Sequence, residues 1–469
     1  MSESIGLCQN TGPDKDVRES PRDLIITVPP TDTESIYDYE PGGHHPVHLG
    51  DILHNRYKVI HKLGTGGSAN VWLCRDTSSS KTRYVAIKII MAEFSASDCP
   101  ELRINRLIAM GVAAEAAAEH FCLPLDQFSI TGPNGEHHAL VYPVLGPRVS
   151  ELHDIVYDGD LDFTLRKIAG QVTQAMSTLH ANGICHGDFR PTNILARISN
   201  LDGISEEEVF TLLGKPEQAS LMTRTEKKHE LPTVPQYLVY PIDWEYIAQK
   251  PSGRSLLTGD ACIIDFGESF EILNPPQRMG IPQAYCAPEY VLDKRIGPGC
   301  DVWALACTLF EIRTGRQLFE TFEDDEDELL YRLARVLGKF PEPWWSTTWK
   351  TRKQHLEDEV DEDGKVVSSD EYEDKSDDEE TTNGRHDIGP VWQMPEPRSI
   401  RESMEAARFS RTPEPIRHEI TEAEVDCFAD LLEGLLQYLP EERLVVADAL
   451  KHPWFRMQEA RPSIRSTEP

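Results

Sequence analysis

Residues 186–193 read HGDFRPTN, and the apolar pair Ile194-Leu195 follows them. This loop carries Asp188 and Asn193 five positions apart, so two oxygen-bearing side chains can divide two tasks. Asp188 can orient a hydroxyl and accept its proton, while Asn193 binds a metal ion. An Asx-rich turn before a strand is the structural alternative. The combination of His, Asp and Asn in this register favours the chemical interpretation.

A second stretch, residues 262–267, reads CIIDFG. Its pattern predicts a buried strand that ends in a carboxylate, Asp265, followed by a glycine. Hard divalent cations prefer such oxygen ligands, so Asp265 is a candidate metal ligand.

Upstream, residues 63–71 read LGTGGSANV. Glycines in a hairpin let backbone N–H groups close over a polyphosphate, although a glycine-rich hairpin is more often just a turn. Residues 85–88 read VAIK and place Lys88 at the end of an apolar strand, where a lysine is usually just solvated. After a glycine-rich hairpin, a lysine here is expected to bind phosphates with a glutamate to orient it. Glu101, on a predicted helix, is the favoured partner, and Glu93 is the competitor.

The periodicity of apolar residues changes along the chain. Short β-branched segments predict antiparallel strands, and i, i+3/i+4 spacing then predicts helices. The predicted strands are 57–63, 69–75, 84–90 and 139–144, and the predicted helices are 163–182, 299–314, 326–337 and 422–439. The expected class is therefore α+β, with a small antiparallel β-rich lobe followed by a larger α-helical lobe.

Composition excludes several classes of protein. The 469 residues include 39% hydrophobic ones, enough for a sizeable core, and the net charge is −32. Such a surface repels nucleic acids and anionic lipids and attracts basic partners. No apolar run is long enough to span a membrane, and residues 1–10 do not resemble a signal peptide. The ten cysteines lack metal-type spacing and are expected to be reduced thiols.

Charge and composition also mark the predicted tails and insertions. Residues 357–380 contain fourteen acidic residues, which repel one another and have little to bury. The predicted organisation is a disordered N-terminal tail at 1–53, an N-lobe at 54–146, a C-lobe at 147–458 and a C-terminal tail at 459–469. Within the C-lobe we expect a spacer at about 199–255 and an acidic disordered insertion at about 350–417.

In this order, the motifs resemble the signature set of eukaryotic protein kinases. They are the glycine-rich loop, the VAIK lysine, the helix glutamate, HxDxxxxN, DFG and the APE of residues 287–289. The resemblance covers about 57–458 less two insertions. More narrowly, the chain is similar to the SR-protein-kinase family and its fungal relatives. That similarity rests on VWL at 71–73, on YPVLG at 142–146 and on the long spacing from Asn193 to Asp265, which is 72 positions further along the chain.

The resemblance implies a bilobal protein-kinase fold and a serine/threonine kinase that uses ATP and Mg²⁺. It implies catalytic roles for Asp188, Lys88 and Arg190, and metal binding by Asn193 and Asp265. The implied ATP-binding residues are Leu63, Gly64, Thr65, Gly66, Gly67, Ser68, Val71, Ala86, Lys88, Glu101, Tyr142, Val144 and Leu145. His186 is expected to be structural. Arg443 is expected to pair with Glu289, and Asp301 is expected to brace the 186–193 loop.

The family also implies partners and a location. Expected substrates are basic Arg/Ser-rich proteins involved in mRNA splicing, and the acidic run at 320–328 is either a docking surface or simply solvated charge. The protein is expected to be monomeric, cytoplasmic and nuclear, without direct binding to nucleic acid or membranes. Gly187 replaces the arginine that normally reads a phosphorylated activation loop, so we expect a kinase active as synthesised.

Two alternatives stay open. Residues 242–245 read IDWE, similar to the metal-binding strand of aminoglycoside- and choline-kinase-type phosphotransferases, in which Asp243 would replace Asp265 as the metal ligand. A pseudokinase scaffold that binds partners through its acidic tracts is the other. The presence of Lys88, Asp188 and Asn193 argues against that interpretation.

Overall fold

The structure is a computed structural model. It describes residues 20–26, 33–95, 99–103, 120–155, 161–321, 325–361, 365–368, 398–409 and 420–457.

The strands, numbered along the chain, are β1 (Leu24–Ile26), β2 (Ile52–Leu53), β3 (Tyr57–Thr65), β4 (Ala69–Asp76), β5 (Arg83–Ile90), β6 (Asp126–Gly132), β7 (Gly135–Tyr142), β8 (Ile184–Cys185), β9 (Ile194–Ile198), β10 (Gln218–Thr223), β11 (Tyr237–Val239), β12 (Leu257–Ile263), β13 (Phe270–Glu271), β14 (Leu356–Val360) and β15 (Val366–Ser368).

The α-helices are α1 (Leu152–Ile155), α2 (Leu161–Ala181), α3 (Glu206–Leu213), α4 (Trp244–Ala248), α5 (Pro251–Arg254), α6 (Pro288–Asp293), α7 (Pro298–Thr314), α8 (Glu326–Leu337), α9 (Ile400–Phe409), α10 (Glu422–Leu435) and α11 (Val446–Ala449). Residues 100–103 are also helical. The 3-10 helices are Pro21–Asp23, Ile36–Asp38, Ala92–Phe94, Val149–Glu151, Pro191–Asn193, Gln283–Tyr285, Arg352–Gln354, Pro440–Glu442 and Pro453–Arg456, and Trp344–Thr348 is a π-helix.

The four strands and four helices predicted by range are all present, with ends shifted by up to four residues. The largest shifts are of four residues. β7 begins at Gly135 rather than 139, and α10 ends at Leu435 rather than 439 because the chain turns toward Pro440. The chain divides into two compact units. One comprises residues up to 96, 125–142 and 201–242, and the other comprises 97–124, 143–200 and the remainder.

The first unit contains a six-stranded antiparallel sheet with the order β2-β3-β4-β5-β7-β6. Alternate side chains of its strands form an apolar core that includes Val59, Trp72, Ile87 and Val141. The β3–β4 pair is joined at the glycine-rich segment, so the sheet fixes both ends of that hairpin.

The prediction of a disordered tail over 1–53 is wrong for residues 20–26 and 33–53. Ile36 and Tyr39 are buried, and β1 pairs with β10 so that Leu24 lies opposite Thr223. The polar composition of this segment predicted disorder because its apolar side chains are few. They pack against Leu221 and Leu238 in a small separate core. Residues 1–19 and 27–32 lie outside the described residues.

The expected spacer at 199–255 is a folded part of the protein. It contributes helix α3 and strands β10 and β11, and its residues 201–242 belong to the unit that contains the six-stranded sheet. By contrast, the described residues 99–103 and 120–124, predicted to be in the N-lobe, group with the helical unit. There Phe121 forms an isolated bridge with Ile263, and the Cys122 N–H donates to the Ile263 carbonyl at 3.0 Å.

The acidic insertion predicted at 350–417 is likewise partly ordered. Strands β14 and β15 pair, and α9 follows them. Leu356, Val366, Ile400 and Met404 are each no more than 2% exposed and join the core of the helical unit. A few apolar anchors are sufficient to order these charge-rich segments. Residues 362–364, 369–397 and 410–417 of the predicted insertion lie outside the described residues.

The helical unit is built around α7, which is buried almost along its whole length from Cys300 to Phe310. Beside it, a charged network is enclosed in the core. The Glu424 carboxylate accepts from Arg313 Nε at 2.7 Å and Nη2 at 2.9 Å, and from Arg166 Nη1 at 3.1 Å. Burial opposes ionisation of Glu424, but its arginine partners hold its pKa below the usual value. One carboxylate thus links α2, α7 and α10.

Replacing Glu424 with glutamine should strongly destabilise the helical unit, because Arg313 and Arg166 would lose a buried carboxylate that balances their charge. Arg313 would keep its pair with Asp162 at 3.0 Å. We expect the free energy of unfolding to fall by about 3–5 kcal/mol in urea titrations. Glu422→Gln is the matched control, since the Glu422 side chain is 85% exposed on the same helix. Equal losses in the two variants would show that the buried carboxylate matters no more to stability than an exposed one.

Candidate active site

The backbone of the 186–193 loop is held by one buried carboxylate. Asp301, in α7, is 1% exposed, and its Oδ2 and Oδ1 accept the N–H groups of His186 at 2.7 Å and Gly187 at 3.0 Å. His180 Nε2 lies 3.1 Å from Oδ2. Burial opposes the charge of Asp301, but these partners keep its pKa below the usual value. The expectation that Asp301 braces this loop is confirmed.

The side chains of the loop converge on Asp188. Arg190 Nε donates to its Oδ1 at 3.0 Å and to its Oδ2 at 3.2 Å, and Asn193 Nδ2 donates to Oδ2 at 2.7 Å. Burial raises the pKa of Asp188, while Arg190 opposes that effect. A carboxylate with a raised pKa, held in a fixed orientation, is suited to accept a proton from a hydroxyl.

Strand pairing brings Asp265 to the same place. β12 pairs with β9 so that Ile263 lies opposite Ile194, and the Ile264 N–H donates to the Asn193 carbonyl at 3.0 Å. Asp265 follows with a left-handed φ of 61°, which is unusual for a residue with a side chain. The end of β12 is therefore tied to the loop that carries Asn193.

The donor set fits a hard divalent cation. Asn193 uses its amide nitrogen to hold Asp188, donating to both the Asp188 carbonyl and its carboxylate. Its amide oxygen is therefore the atom that can act as a ligand. Together with the Asp265 carboxylate, the ligands on offer are oxygens, as Mg²⁺ prefers.

His186 has a structural role in the described structure, as predicted. Its Nε2 lies 3.1 Å from the Ile264 carbonyl, and its ring centroid is 5.3 Å from that of Phe266. The Ser269 hydroxyl donates to the His186 carbonyl at 2.7 Å. Sequence reasoning did not anticipate this last contact, because an isolated serine gives no signal of its partner.

The segment after DFG is anchored by a second ion pair, also as predicted. Arg443 Nη1 and Nη2 contact the Glu289 carboxylate at 2.7 and 2.6 Å, and both side chains are almost fully buried. Arg443 also donates to the carbonyls of Gly299, Gln437 and Tyr438. This two-pronged geometry fixes the position of residues 287–289 relative to α7.

Gly187 has a conformation that an arginine would not readily adopt. Its φ is +81°, and a Cβ at this position would lie 2.3 Å from the Glu268 carbonyl oxygen. The hydroxyls of residues 268–286 are also shielded, since Ser269 is 3% and Tyr285 4% exposed. The activity expected without a phosphate on this segment stays a prediction.

In the sheet-containing unit, the glycine-rich segment spans the β3–β4 hairpin. Gly64 pairs with Val71 and Thr65 with Asn70, and the Gly66 N–H donates to the Ala69 carbonyl at 2.9 Å. Leu63 precedes the hairpin in β3, and Gly67 and Ser68 form its bend.

The other predicted nucleotide-binding residues lie at defined places. Lys88, in β5, lies opposite Val71 in β4, and Ala86 lies opposite Tyr142 in β7. Leu145 is buried and Val144 half-buried just after β7. Glu101 is 4% exposed and lies in the short helical stretch of the other unit. The rest of its predicted helix lies outside the described residues.

Asp243, the competing metal ligand, has a different function in the described structure. Its Oδ1 accepts the N–H of Tyr246 at 2.9 Å and so caps α4, and the residue is exposed. An exposed helix cap explains the aspartate of IDWE without a metal.

Comparisons with known proteins agree with this geometry. The family model described as "Protein kinase domain" matches residues 255–455. Over 438 residues the chain is 26% identical to serine/threonine-protein kinase SRPK of Physarum polycephalum, covering 90% of this chain and 91% of that protein. It is 27% identical to dual specificity protein kinase CLK2 of Homo sapiens, covering 90% and 68% of the two chains. It is 33% identical to serine/threonine-protein kinase spk-1 of Caenorhabditis elegans over 208 residues, or 43% and 20% of the two chains.

Among the described residues, the structure contains no helix that is both long and apolar enough to cross a membrane.

Replacing Gly187 with alanine should destabilise the protein more than replacing Gly183 with alanine. Gly183 has a similar φ of +73°, but a Cβ there would meet no atom within 4 Å. We expect Gly183→Ala to cost only the strain of the left-handed conformation, about 1–2 kcal/mol. Gly187→Ala adds the collision with Glu268 and should also displace Asp188. Urea unfolding of both variants measures the difference, and equal losses would show that the close approach to Glu268 is unimportant.

Proposed function

Because the chain belongs to the eukaryotic protein kinases and is related to the SR protein kinases, we propose that it transfers the γ-phosphoryl group of ATP, with Mg²⁺, to serine or threonine hydroxyls of basic Arg/Ser-rich proteins. The observation that carries this proposal is the buried Glu289–Arg443 pair, which anchors the segment after DFG. In protein kinases that segment binds the peptide substrate. Kinases of small molecules have no such segment.

In this proposal, Asp188 is the group that aligns the substrate hydroxyl and accepts its proton. Its burial and its bonds to Arg190 and Asn193 fix its orientation before substrate arrives, so little reorganisation is needed during transfer. Arg190 keeps a positive charge beside Asp188 and would meet the γ-phosphate. The glycine-rich hairpin and Lys88 would bind the ATP phosphates, with Glu101 as the proposed partner of Lys88.

Asn193 and Asp265 are the proposed metal ligands. Mg²⁺ bound there supplies charge neutralisation at the β- and γ-phosphates. Tyr142, Val144 and Leu145 would line the adenine site. We assign no metal role to Asp243, because it caps α4.

Net charge supports basic substrates. At −32 the protein attracts Arg-rich peptides over long distances and repels nucleic acids and anionic membranes. The acidic run at 320–328 is partly used within the protein. Asp327 accepts from Trp349 Nε1 at 2.8 Å, and Glu326 pairs with Lys294 at 2.8 Å. We therefore propose attraction by the overall charge. A monomer acting on splicing proteins in cytoplasm and nucleus completes the proposal.

An Arg-Ser-repeat peptide, labelled ATP and Mg²⁺ provide the direct test. We expect label in this peptide at low salt, less label at high salt, and little in a neutral serine peptide. A Lys-Ser peptide of equal charge separates general attraction from recognition of the guanidinium group. Asp188→Ala should lower turnover by about 10²–10⁴-fold, as expected for a general base. Activity independent of salt would exclude electrostatic docking, and no label in any protein or peptide would favour the scaffold alternative.

The two aspartates that compete as metal ligands can be distinguished directly. Asp265→Asn should abolish Mg²⁺-dependent turnover, since the site loses the carboxylate that binds the ion. Asp243→Asn should leave turnover close to wild type and lower only the stability of α4, by about 1 kcal/mol or less. Loss of turnover in Asp243→Asn alone would favour a small-molecule phosphotransferase instead.

A further inference from the structure

A buried ion pair lies at the base of the glycine-rich hairpin. Lys62, directly before the 63–71 segment, contacts the Glu34 carboxylate through Nζ, and the two side chains are 0% and 1% exposed. Burial lowers the pKa of Lys62, and Glu34 opposes that shift. Removing two charges from water is costly, so a fully buried pair is poor evidence of added stability and calls for another explanation.

The same carboxylate reaches the second strand of the hairpin through Tyr39. The Tyr39 hydroxyl donates to Glu34 Oε1 at 2.6 Å, and the Asn70 side chain is near enough to this hydroxyl to oppose the rise that burial causes in its pKa. Asn70, in β4, accepts the Thr65 hydroxyl at 2.7 Å. We refer to Glu34, Tyr39, Lys62 and Asn70 as the clasp. It joins the last residues of β3 to the first residues of β4.

The N-terminal half of the clasp is itself held in place. Ile36 and Tyr39 pack with Leu221 and Leu238, which belong to the 199–255 spacer, and together they form the small core. The spacer also makes a hydrogen bond to β3 directly, because the Ile242 N–H donates to the Lys62 carbonyl at 3.1 Å. Two segments outside the six-stranded sheet thus meet at Lys62.

The hairpin bend has little packing of its own. A Cβ at Gly64 or Gly67 would meet no neighbouring atom within 4 Å. Glycines also leave the backbone free to adopt many conformations. Backbone bonds hold the bend at two points, from the Gly66 N–H to the Ala69 carbonyl at 2.9 Å and from the Met91 N–H to the Ser68 carbonyl at 2.8 Å. With so little side-chain packing, its position depends further on the strands at its base, where the clasp lies.

We propose that Glu34 and Tyr39 are positioning residues that fix the glycine-rich hairpin for binding the phosphates of ATP. The clasp acts through Lys62 and Asn70 on residues 63–71 and does not touch the nucleotide. This inference rests on one part of the proposed function, namely that the hairpin binds ATP.

Two conservative variants test it in the full chain, each with a matched control. Tyr39→Phe removes one buried hydroxyl and keeps the ring, whereas Tyr37→Phe makes the same change at a residue that is 56% exposed. Glu34→Gln removes the buried charge, whereas Glu40→Gln does so at a side chain that is 45% exposed. Because Glu34→Gln removes the charge that balances buried Lys62 and can unfold the protein, Tyr39→Phe is the decisive variant.

The first measurement is amide hydrogen exchange over residues 63–71 without nucleotide. We expect faster exchange in Tyr39→Phe and Glu34→Gln than in either control. The second is steady-state kinetics, in which KM for ATP should rise about threefold in Tyr39→Phe and about tenfold in Glu34→Gln while kcat changes little.

The outcomes separate positioning from simple stabilisation. A lower melting temperature with unchanged exchange over 63–71 and unchanged KM for ATP would overturn the proposal, since the clasp would then only hold the fold together. If the wild-type protein neither binds nor uses ATP, the proposed function fails. Hydrogen exchange then still decides whether the clasp fixes the hairpin.

Discussion

The buried carboxylate of Asp301 is the constraint on which the candidate site depends. It accepts two consecutive backbone N–H groups, from His186 and Gly187, within the core of the helical unit. Hydrogen bonds to an ionised acceptor are stronger than those to a neutral one, and the surrounding donors offset the cost of burying the charge. The orientation of Asp188 and the closeness of Gly187 to Glu268 both follow from that anchor.

Buried ion pairs also fix the structure, and they differ in whether the cation is an arginine or a lysine. Glu289–Arg443 and Glu424–Arg313 each use the planar guanidinium group to meet a carboxylate through two parallel bonds. Glu34–Lys62 instead uses a single ammonium group. The arginine pairs fix helices of the large unit, while the lysine pair lies beside a hairpin whose glycines give it little rigidity.

Much of the site was predictable from the sequence, because its residues lie in short motifs. Asp188, Asn193 and Asp265 occur in short motifs whose spacing alone limits the geometry, and strand pairing between β9 and β12 then brings them together. Glu289 and Arg443 were paired from a family resemblance, across 154 positions of the chain. The clasp was not predictable, because Glu34 lies in a segment whose polar composition resembles that of a disordered tail. Its order depends on Leu221 and Leu238, far along the chain.

The pairing of β1 with β10 has a consequence for how the protein is made. Leu24 meets Thr223, almost two hundred residues later, so the sheet-containing unit is assembled from three separate stretches. At ribosomal rates of about 5–20 residues per second, the N-terminal segment waits roughly 10–40 s for its partner strand. Helix α2 is synthesised during that interval. The nascent chain therefore begins its helical unit before its sheet-containing unit can be completed. Ile36 and Tyr39 have no partners in the small core until the 199–255 spacer has been synthesised.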